Sequence, residues 1–469
     1  MTPARAGHEL PFYPGYYPQE IRLETMTPGA AVPLLRNSTL HAYVGADPFA
    51  GGRLPANVSA VESLAGYVVA TAGSPPGADP AARCAGALRV AREISATRVA
   101  GFVPYAYPVT PYHGDYLEHF DLLEAARRAV ESAPPGAPPR LVARGVLAER
   151  LLKAPKDAAP PKAGDTIVEE VDLEALLAPY AVAAAGSFRP PWLKEGWFHA
   201  YLLQAHTMID PAARQAADQL YRRLVTGAYD GPAERADLAR RLVGRLGGGC
   251  ERVVVGYSLR REPFSAEFSK GIENIAWDSQ AGFDSDIFVR TAKLKDFPWN
   301  GWMRLGIGAR PAAAWNPVAG FTDAAGRLLW AALGDPALLP GPYGSGPVPH
   351  RAVPASVVVG GPAGVEIPED ALLPQPGTGL LREVGKGKTA KAKVVYRLWA
   401  SAAHDNTRVG PADAIYPYVF AARWGTRRAQ PGVEYDPAVD VATQVARQAL
   451  AGVRVVKVDS EVRRYADIT

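Results

Sequence analysis

Residues that could bind a polar ligand are concentrated between positions 260 and 316. Their types are complementary, because indole rings can stack on a ligand while amides, carboxylates and a guanidinium hold its polar ends. The candidate binding residues are Arg260, Glu267, Asn274, Trp277, Asp278, Trp299, Asn300, Trp302, Trp315 and Asn316. Half of them fall in a long polar and aromatic loop, 257–286, and such loops often hold ligands. The alternative is that the tryptophans are core residues and the charged side chains are solvated.

Metal binding is a second possible chemistry, because imidazoles and carboxylates are common metal ligands. His113 and His119 lie near several acidic residues. If a helix begins at Asp115, however, His119 and Glu118 point about 100° apart, since successive helical residues are rotated by that angle. This spacing favours the alternative of a helix cap with solvated charges.

The other candidate metal ligands are His199, His206 and His8. His199 and His206 are seven residues apart and share one helix face, which suits either a common ligand site or burial in a helical bundle. His8 would become amino-terminal if a leader were cleaved after Gly7, and an amino-terminal histidine chelates copper strongly. No metal or other cofactor is otherwise predicted.

Motifs for catalysis are missing from the sequence. It contains no Gly-x-Ser-x-Gly elbow, no His-Glu-x-x-His and no Cys-x-x-Cys. The run from Gly385 to Thr389 resembles the end of a phosphate loop, but Arg382 stands where the first glycine of that motif belongs. We therefore have no reaction to propose from the sequence, and a non-catalytic role is favoured over an enzyme.

The elements that must position these residues form an α/β pattern. Strands at 21–23, 41–44, 67–70 and 99–107 alternate with helices at 80–94 and 115–132, which predicts an N-terminal α/β domain over 7–150. A Pro-rich linker, 151–164, precedes a helical region at 165–250. Residues 251–469 form the last predicted domain, with strands at 250–259, 287–293 and 355–359.

The segment 394–425 combines a strand, a turn and the start of a helix. Val394, Tyr396 and Leu398 alternate with the residues between them, as in a half-buried strand. The polar residues 404–407 predict a turn, and Pro411 is suited to the first position of a helix.

At this segment the chain resembles extracytoplasmic solute-binding proteins of the peptide and nickel type. In that family a strand leads into a turn and helix with the pattern His or Phe, Asp, Gly, Thr, two or three residues, Ala, Asp, Val. The matching positions here are His404, Asp405, Thr407, Ala412, Asp413 and Ile415, with Asn406 in place of the glycine. Residues 297–334, with Asn316-Pro317, resemble the family's opening strand, loop and first helix. The resemblance covers roughly residues 290–458.

The resemblance implies a C-terminal lobe like that of type II periplasmic binding proteins, following the α/β domain and the central helical segment. Because the family's chain normally continues well beyond the matched part, this lobe is expected to be incomplete and a second protein chain to complete it. The implied function is to hold a small polar solute, peptide-like or a metal chelate, for a membrane transporter. The alternatives are an accessory subunit of a larger extracytoplasmic complex and a copper or other metal-binding periplasmic protein.

Composition agrees with a periplasmic or extracellular protein. The 469 residues carry a formal net charge of +4 with scattered basic residues, so no nucleic-acid partner is expected. Ala4-Arg5-Ala6 fits the small-residue site before signal-peptide cleavage, which predicts a removed leader. Cys84 and Cys250 are compatible with one disulfide in an oxidising compartment or with two buried thiols.

Overall fold

The computed structural model describes residues 17–73, 79–153, 160–180, 190–295, 301–312, 320–321, 323–344, 346–400, 407–427, 434–458 and 465–468. Within these ranges, no helix has the length and apolar character that a membrane crossing requires.

The first part of the chain alternates strands and helices. Its elements are β1 (Glu20–Thr25), α1 (Pro28–Arg36), β2 (Ala42–Val44), β3 (Val58–Ala72), α2 (Pro80–Ser95), β4 (Phe102–Pro104), α3 (Phe120–Glu131), β5 (Leu141–Arg144), α4 (Val146–Leu152), β6 (Thr166–Asp172) and α5 (Leu173–Leu177). Short 3-10 turns, Tyr116–His119 and Ala178–Tyr180, precede α3 and follow α5.

The middle of the chain begins with three consecutive helices and then returns to strands. Its elements are α6 (Gly196–Gln204), α7 (Pro211–Thr226), α8 (Pro232–Gly247), β7 (Arg252–Ser265), β8 (Ile272–Glu273), α9 (Asp286–Thr291), β9 (Lys293–Leu294), β10 (Trp302–Ile307) and α10 (Ala324–Leu333). A third 3-10 turn, Ala205–Thr207, follows α6.

The last part contains short strands and two helices. Its elements are β11 (Leu338–Pro340), β12 (Pro347–Pro349), β13 (Ala352–Val359), β14 (Val365–Glu366), β15 (Leu372–Pro374), β16 (Leu381–Glu383), β17 (Thr389–Ala390), β18 (Ala392–Trp399), α11 (Pro411–Trp424), α12 (Pro437–Ala449), β19 (Val455–Val458) and β20 (Tyr465–Ile468). The strand and helix predicted from the segment 394–425 are confirmed, whereas its turn residues His404, Asp405 and Asn406 lie outside the described residues.

The main sheet has the strand order β1-β10-β2-β7-β3-β6-β5, and β4 also pairs with β7. Its centre is the long antiparallel pair β3 and β7, whose register runs from Val58 opposite Ser265 to Thr71 opposite Arg252. β1, β10 and β2 pair in parallel on one side, and β5 pairs in parallel with β6 on the other. The sheet is therefore mixed, and the predicted α/β class is confirmed.

The sheet crosses the predicted domain boundary at 250/251, because β7 follows that boundary and pairs with β3. β10, which comes later still, pairs with β1 and β2. The predicted ranges 7–150, 151–164, 165–250 and 251–469 remain predictions, but their strands share this sheet.

Apolar cores lie on both faces of the sheet, because Val68 and Ala70 of β3 are buried on one face and Tyr67 and Val69 on the other. Helices α6, α7 and α8 pack their buried residues around Trp197, Phe198 and Leu242. A second cluster joins β2 and β10 to α9 and α10 through residues such as Phe283, Phe288 and Met303. The second cluster also contains Val61 of β3, and Phe264 of β7 packs against it.

The predicted strand at 287–293 is wrong, because residues 286–291 form helix α9. Ser285 explains the difference, since its hydroxyl accepts a hydrogen bond from the backbone N–H of Phe288 at 3.4 Å and caps a helix. The run of apolar residues that suggested a strand buries Phe288 and Val289 on one side of this short helix.

Cys84 and Cys250 form a disulfide, which resolves the alternatives left open by the sequence. Cys84 lies in α2, and Cys250 comes two residues before β7. The bond joins residues 166 positions apart in the sequence. Next to it, Arg83 donates to the carbonyl of Gly249 at 2.5 Å and to Glu251 at 3.2 Å. Helix α2 is thus fixed to the start of the central strand by covalent and polar contacts.

Candidate functional site

The candidate site is a cleft beside the central strand pair, which we call the β3–β7 cleft. Its cavity volume is about 620 Å³, and it is lined by Leu54, Ala60, Val61, Glu62, Pro111, Tyr112, Tyr257, Arg261, Trp277 and Tyr343. The floor comes from β3 and β7, where Glu62 and Arg261 lie opposite each other in the register. The walls come from separate loops, so the cleft exists only in the folded chain.

Aromatic side chains dominate the walls of the cleft. Tyr112 and Tyr257 meet edge to face with ring centroids 5.9 Å apart. Trp277 is oriented by its indole N–H, which donates to the backbone carbonyl of Glu62 at 3.0 Å. Tyr343 is half exposed, and its ring is accessible at the opening of the cleft. Flat apolar surfaces of this kind hold the body of an organic ligand.

The two tyrosines of the inner wall remain neutral at physiological pH. Burial raises the pKa of Tyr112 to about 12, and the negative charge of Glu62 adds to the shift. Burial also raises the pKa of Tyr257, with smaller contributions from Tyr112 and Glu62 among others. Both hydroxyls can therefore donate hydrogen bonds to a ligand.

Hydrogen bonds between loops hold the cleft in shape. The hydroxyl of Ser279 donates to the carbonyl of Tyr112 at 2.9 Å, and its backbone N–H donates to the carbonyl of Pro342 at 2.7 Å. The carbonyl of Ser279 accepts from the backbone N–H of Leu64 in β3 at 2.9 Å. One residue thus connects three cleft-forming segments, which gives the site a fixed geometry before any ligand arrives.

Two predicted binding residues contribute to the site and its support. Trp277 lines the cleft, as described above. Asp278 is buried and points away into the loop, where it forms an ion pair with Lys194 and accepts from the backbone N–H groups of Gln280 and Ala281 at 2.9 and 3.0 Å. Lys194 also donates to the carbonyl of Gly341 at 2.6 Å. Asp278 therefore supports the loop that presents Trp277.

Arg260 lies next to the cleft but on the other face of β7. Its guanidinium donates to the carbonyl of Gln280 at 2.9 Å and lies 3.9 Å from the buried carboxylate of Glu262. The side chain that lines the cleft is its neighbour Arg261, because successive residues of a strand point to opposite faces. The sequence placed an arginine at this site, and the strand register decides which one faces the cleft.

Three predicted binding residues have local contacts outside the cleft. Glu267 accepts from the backbone N–H groups of Ser269 and Lys270 within a turn. Asn274 donates to the carbonyl of Thr291 at 2.7 Å. Trp302 is half exposed in β10 and carries the guanidinium of Arg22 above its ring at 3.9 Å. The remaining candidates, Trp299, Asn300, Trp315 and Asn316, lie outside the described residues.

Two of the histidine candidates form a buried hydrogen-bond relay that we call the His113–Tyr67–His199 relay. The Tyr67 hydroxyl lies 2.8 Å from Nε2 of His113 and 2.7 Å from Nδ1 of His199. The backbone N–H of Thr110 donates to Nδ1 of His113 at 2.8 Å, so the proton of this ring is on Nε2. Nε2 of His199 donates to the carbonyl of Leu193 at 2.8 Å, so its Nδ1 accepts from Tyr67.

Burial keeps both imidazoles of the relay neutral. Burial lowers the pKa of His113 well below its ordinary value and lowers that of His199 to about 4. Every ring nitrogen already has a hydrogen-bond partner, so the lone pairs that a metal would need are in use. The relay is better explained as a satisfied polar core than as a metal site.

The other histidines are also in polar contacts. Nδ1 of His119 lies 3.0 Å from the Tyr107 hydroxyl, and its Nε2 lies 3.5 Å from the Asp115 carboxylate. His206 accepts from Arg252 at 3.0 Å, away from the relay that holds His199. Among the residues that the structure describes, no group of three or more His, Cys, Asp and Glu could hold a metal. His8 lies outside the described residues, so the prediction there stays a prediction.

Sequence reasoning missed several residues of the cleft, above all Glu62, Tyr112 and Tyr343. Glu62 sits in a run of small and apolar residues, VSAVESLAG, as its one charged residue. A lone charge in a central strand is a usable signal, because it must face either solvent or a ligand. Tyr112 and Tyr343 carry no such signal, since only the tertiary fold brings their loops together.

Part of the structure matches solved peptide- and nickel-binding periplasmic proteins at low TM-scores. One example is a putative peptide-binding protein, AppA from Clostridium difficile, with a TM-score of 0.35 and 12% identity over 57% of this chain and 59% of that chain. Another is DppA from Helicobacter pylori, an ABC transporter-associated periplasmic binding protein in complex with the peptide STSA. Its TM-score is 0.32 and its identity 14%, over 58% of this chain and 56% of that chain. A further example is NikA from Staphylococcus aureus in complex with Ni(L-His)2, with a TM-score of 0.31 and 10% identity over 57% of this chain and 60% of that chain.

The chain spans 59, 56 and 60% of the length of these three proteins. No protein-family model and no curated protein matches the sequence. These matches are to the class of protein that the sequence resembles, they cover 57–58% of this chain, and their TM-scores of 0.31–0.35 carry no argument about its role.

Proposed function

We propose that this chain is an extracytoplasmic solute-binding protein that holds a small polar solute, peptide-like or a metal chelate, in the β3–β7 cleft. The observation that carries the proposal is the cleft itself. Its volume of about 620 Å³ lies within the range of small-molecule sites, and aromatic walls surround two charged residues. Such a lining can bury the body of a solute and orient its polar ends.

The lining favours binding over chemistry. None of the described residues that line the cleft is a serine, cysteine, histidine or lysine. A hydrolytic or transfer reaction would need a nucleophile with a base in reach, and the charged pair Glu62 and Arg261 offers neither arrangement. The proposed role is therefore to hold a solute and release it unchanged.

The disulfide supports an extracytoplasmic location. Structural disulfides persist in oxidising compartments and are rare in the reducing cytosol. Cys84 and Cys250 are joined across a long stretch of the chain, so the bond is part of the tertiary structure. A solute-binding protein in that compartment would deliver its solute to a membrane transporter, which we propose as the physiological partner.

Ligand capture tests the proposal. The protein is isolated from its own source without denaturation and measured by native mass spectrometry, with the expected result of the 49.9 kDa chain carrying a small-molecule mass. A panel of short peptides and metal chelates is then screened for thermal stabilisation, because a ligand that binds only the folded state raises its stability. The first hits are measured by calorimetry.

Two tryptophan variants locate the binding. Trp277→Ala removes a cleft wall and is expected to weaken binding by about tenfold or more, as for a buried aromatic anchor. Trp302→Ala is the control, because the ring of this tryptophan stacks on Arg22 outside the cleft. If the two variants bind a ligand equally well, the solute is not held in the β3–β7 cleft and the proposal is wrong.

As a second candidate we propose a non-catalytic accessory subunit, and the exposed strand β13 favours it. β13 forms one edge of a four-stranded sheet with the order β13-β18-β20-β19. Val357, Val358 and Val359 on this strand are 60, 49 and 77% exposed. An exposed apolar edge strand can accept a strand of another chain.

Native mass spectrometry of the source material also tests this candidate. For an accessory subunit, the spectrum is expected to show a stable assembly that carries no small-molecule mass. The double variant Val357→Lys and Val359→Lys should release the chain from that assembly, because charges on an edge strand block strand addition. A monomer that carries a solute would contradict the second candidate and favour the first.

A further inference from the structure

The charges of the β3–β7 cleft indicate which class of solute it takes. Glu62 and Arg261 are the charged side chains among the described residues of its lining. They face each other across the strand pair, yet they are not equivalent. The difference lies in what each side chain already contacts in the folded protein.

Arg261 is already neutralised by the protein. Its Nε donates to the Asp47 carboxylate at 2.9 Å, a terminal nitrogen lies 2.7 Å from the same oxygen, and that nitrogen also donates to the carbonyl of Gly52 at 2.9 Å. Asp47 is itself fixed by the backbone N–H groups of Phe49 and Gly51 at 2.9 and 2.8 Å. The positive charge of Arg261 is therefore paired before a solute arrives.

The Glu62 carboxylate has no such partner. No hydrogen bond or ion pair joins it to any other residue that the structure describes, and the side chain is exposed to the cleft. Its charge nevertheless reaches the inner wall, since it contributes to the raised pKa values of Tyr112 and Tyr257. With Arg261 paired to Asp47, the uncompensated charge of the lining is the single negative charge of Glu62.

Aromatic rings around a carboxylate form a site for an organic cation. The face of an aromatic ring carries partial negative charge and attracts ammonium and guanidinium groups, most strongly in the case of tryptophan. Trp277, Tyr112, Tyr257 and Tyr343 supply four such rings in this cleft.

We infer that the β3–β7 cleft takes a cationic solute, whose ammonium or guanidinium group pairs with Glu62 and whose adjoining carbon body lies against the aromatic walls. The inference rests on the proposed function and specifies its ligand class. Anionic solutes are disfavoured, because Glu62 repels them and Arg261 is already paired.

A matched set of probes tests the inference. 2-Phenylethylamine, 2-phenylethanol and 3-phenylpropanoate share one ring and differ in charge, and their dissociation constants are measured by calorimetry at pH 7 on the full chain. The amine is expected to bind about tenfold more tightly than the alcohol, and the carboxylate to bind most weakly. Phenylalanyl-glycine amide with a free or an acetylated amino terminus repeats the comparison for a peptide ammonium.

Variants assign the preference to one carboxylate. Glu62→Gln keeps the size of the side chain and is expected to reduce the amine preference to about twofold, the part that the rings supply. Glu170→Gln, at an exposed position of β6 outside the cleft, should leave the preference unchanged. Circular dichroism confirms that both variants are folded.

Failure of the inference and failure of the proposed function give different results. If the alcohol or the carboxylate binds as tightly as the amine and Trp277→Ala abolishes that binding, the cleft binds solutes but does not select cations. If probes bind and Trp277→Ala has no effect, the proposed function and the inference are both wrong. An amine preference that survives Glu62→Gln assigns the cation to another group and overturns the inference.

Discussion

At the scale of single residues, the His113–Tyr67–His199 relay shows how three buried polar side chains satisfy one another's hydrogen bonds. All three side chains are buried, and Nε2 of His113 lies 3.1 Å from Nδ1 of His199. If Tyr67→Phe removes the hydroxyl, His113 can donate directly to His199. We expect this variant to lose about 1 kcal/mol of unfolding free energy, the net value of one hydrogen bond.

His199→Phe should cost more, about 2–3 kcal/mol, because it leaves the Leu193 carbonyl without its donor and the Tyr67 hydroxyl without its acceptor in the core. Urea unfolding at pH 7 measures both variants. Tyr201→Phe is the control, since its hydroxyl contacts Asp218 at 2.8 Å in a partly exposed position and should cost least. Equal losses for Tyr67→Phe and His199→Phe would contradict the direct histidine contact.

Glu195 gives a prediction about pH. Burial raises its pKa from 4.5 to about 8, Asp115 adds to the shift, and Arg235 at 3.4 Å opposes it. Because the folded-state pKa is raised, this group's stabilising contribution is complete below pH 4.5 and is lost as the pH rises through about 8. Glu195→Gln stays neutral throughout. The unfolding free energy of Glu195→Gln minus that of the wild type should therefore increase by about 1–3 kcal/mol between pH 5 and pH 8.

Asp284→Asn provides the comparison for Glu195→Gln. Burial raises the pKa of Asp284 to about 6, although Arg327 opposes the shift. The stability difference between Asp284→Asn and the wild type should therefore stop increasing above about pH 6. The difference between Glu195→Gln and the wild type should continue to increase up to about pH 8. Urea unfolding at intervals of pH measures both curves. A pH-independent difference between Glu195→Gln and the wild type would show that Glu195 is ionised in the folded protein over this range.

The sequence located part of the candidate site at this scale. Trp277 could be predicted because a tryptophan in a polar loop is unusual enough to suggest a ligand. The pairing of His113 with His199 could not, since these residues are 86 positions apart and meet only through the packing of α6 against β3. Glu62 carries a local signal, as the one charged residue of its strand, but that signal does not identify its aromatic neighbours, which come from distant parts of the chain.

At the scale of elements, the turn that carries Gly282 shows a strict steric requirement. Gly282 has a φ of +64°, and an added Cβ would lie 1.7 Å from Oε2 of Glu262. Glu262 is fully buried and accepts from the backbone N–H groups of Gly45 and Phe283 at 2.6 and 2.9 Å. The clash would therefore displace a carboxylate that joins β7 to two loops.

We expect Gly282→Ala to lower the unfolding free energy by about 3 kcal/mol or more, from backbone strain together with loss of these hydrogen bonds. Gly227→Ala separates the two effects. Gly227 ends α7 with a φ of +67° and has nothing near an added Cβ, so it should lose only about 1 kcal/mol. Urea unfolding measures both variants. Similar losses would mean that Glu262 moves aside without cost.

Element boundaries were predictable where local chemistry defines them. The helices near 80–94, 211–226 and 232–247 begin with a proline, and in α2 and α7 an aspartate before it accepts backbone hydrogen bonds. The length of β3 was not predictable from its apolar pattern alone. It extends over 15 residues because β7 supplies backbone partners along almost its entire length.

At the scale of the whole molecule, the main sheet combines strands that are far apart in sequence, and this is why the sequence predicted its class but not its order. β1 and β10 pair although more than 250 residues separate them, as Glu20 opposite Trp302 shows. A pattern of apolar residues identifies a strand but not its neighbour. Such pairings depend on the cores on both faces and on the cross-link that ties α2 to β7.

The disulfide between Cys84 and Cys250 gives the last prediction. A cross-link over 166 positions restricts the unfolded chain strongly, and its loss should lower the unfolding free energy by about 2–5 kcal/mol. The hydrogen bonds of Arg83 to Gly249 and Glu251 do not involve the cysteines, so the fold is expected to persist after reduction with lower stability. Urea unfolding compares the oxidised protein, the reduced protein and the double variant Cys84→Ser and Cys250→Ser.

The reduced protein and the double variant should unfold at the same urea concentration, below that of the oxidised protein. Reductant should have no effect on the double variant, which controls for other actions of the reagent. Thiol titration of the unfolded, unreduced protein should find no reactive cysteine. Two reactive thiols, together with an unfolding curve that reductant does not change, would show that α2 is held to β7 by the polar contacts of Arg83 and by packing alone.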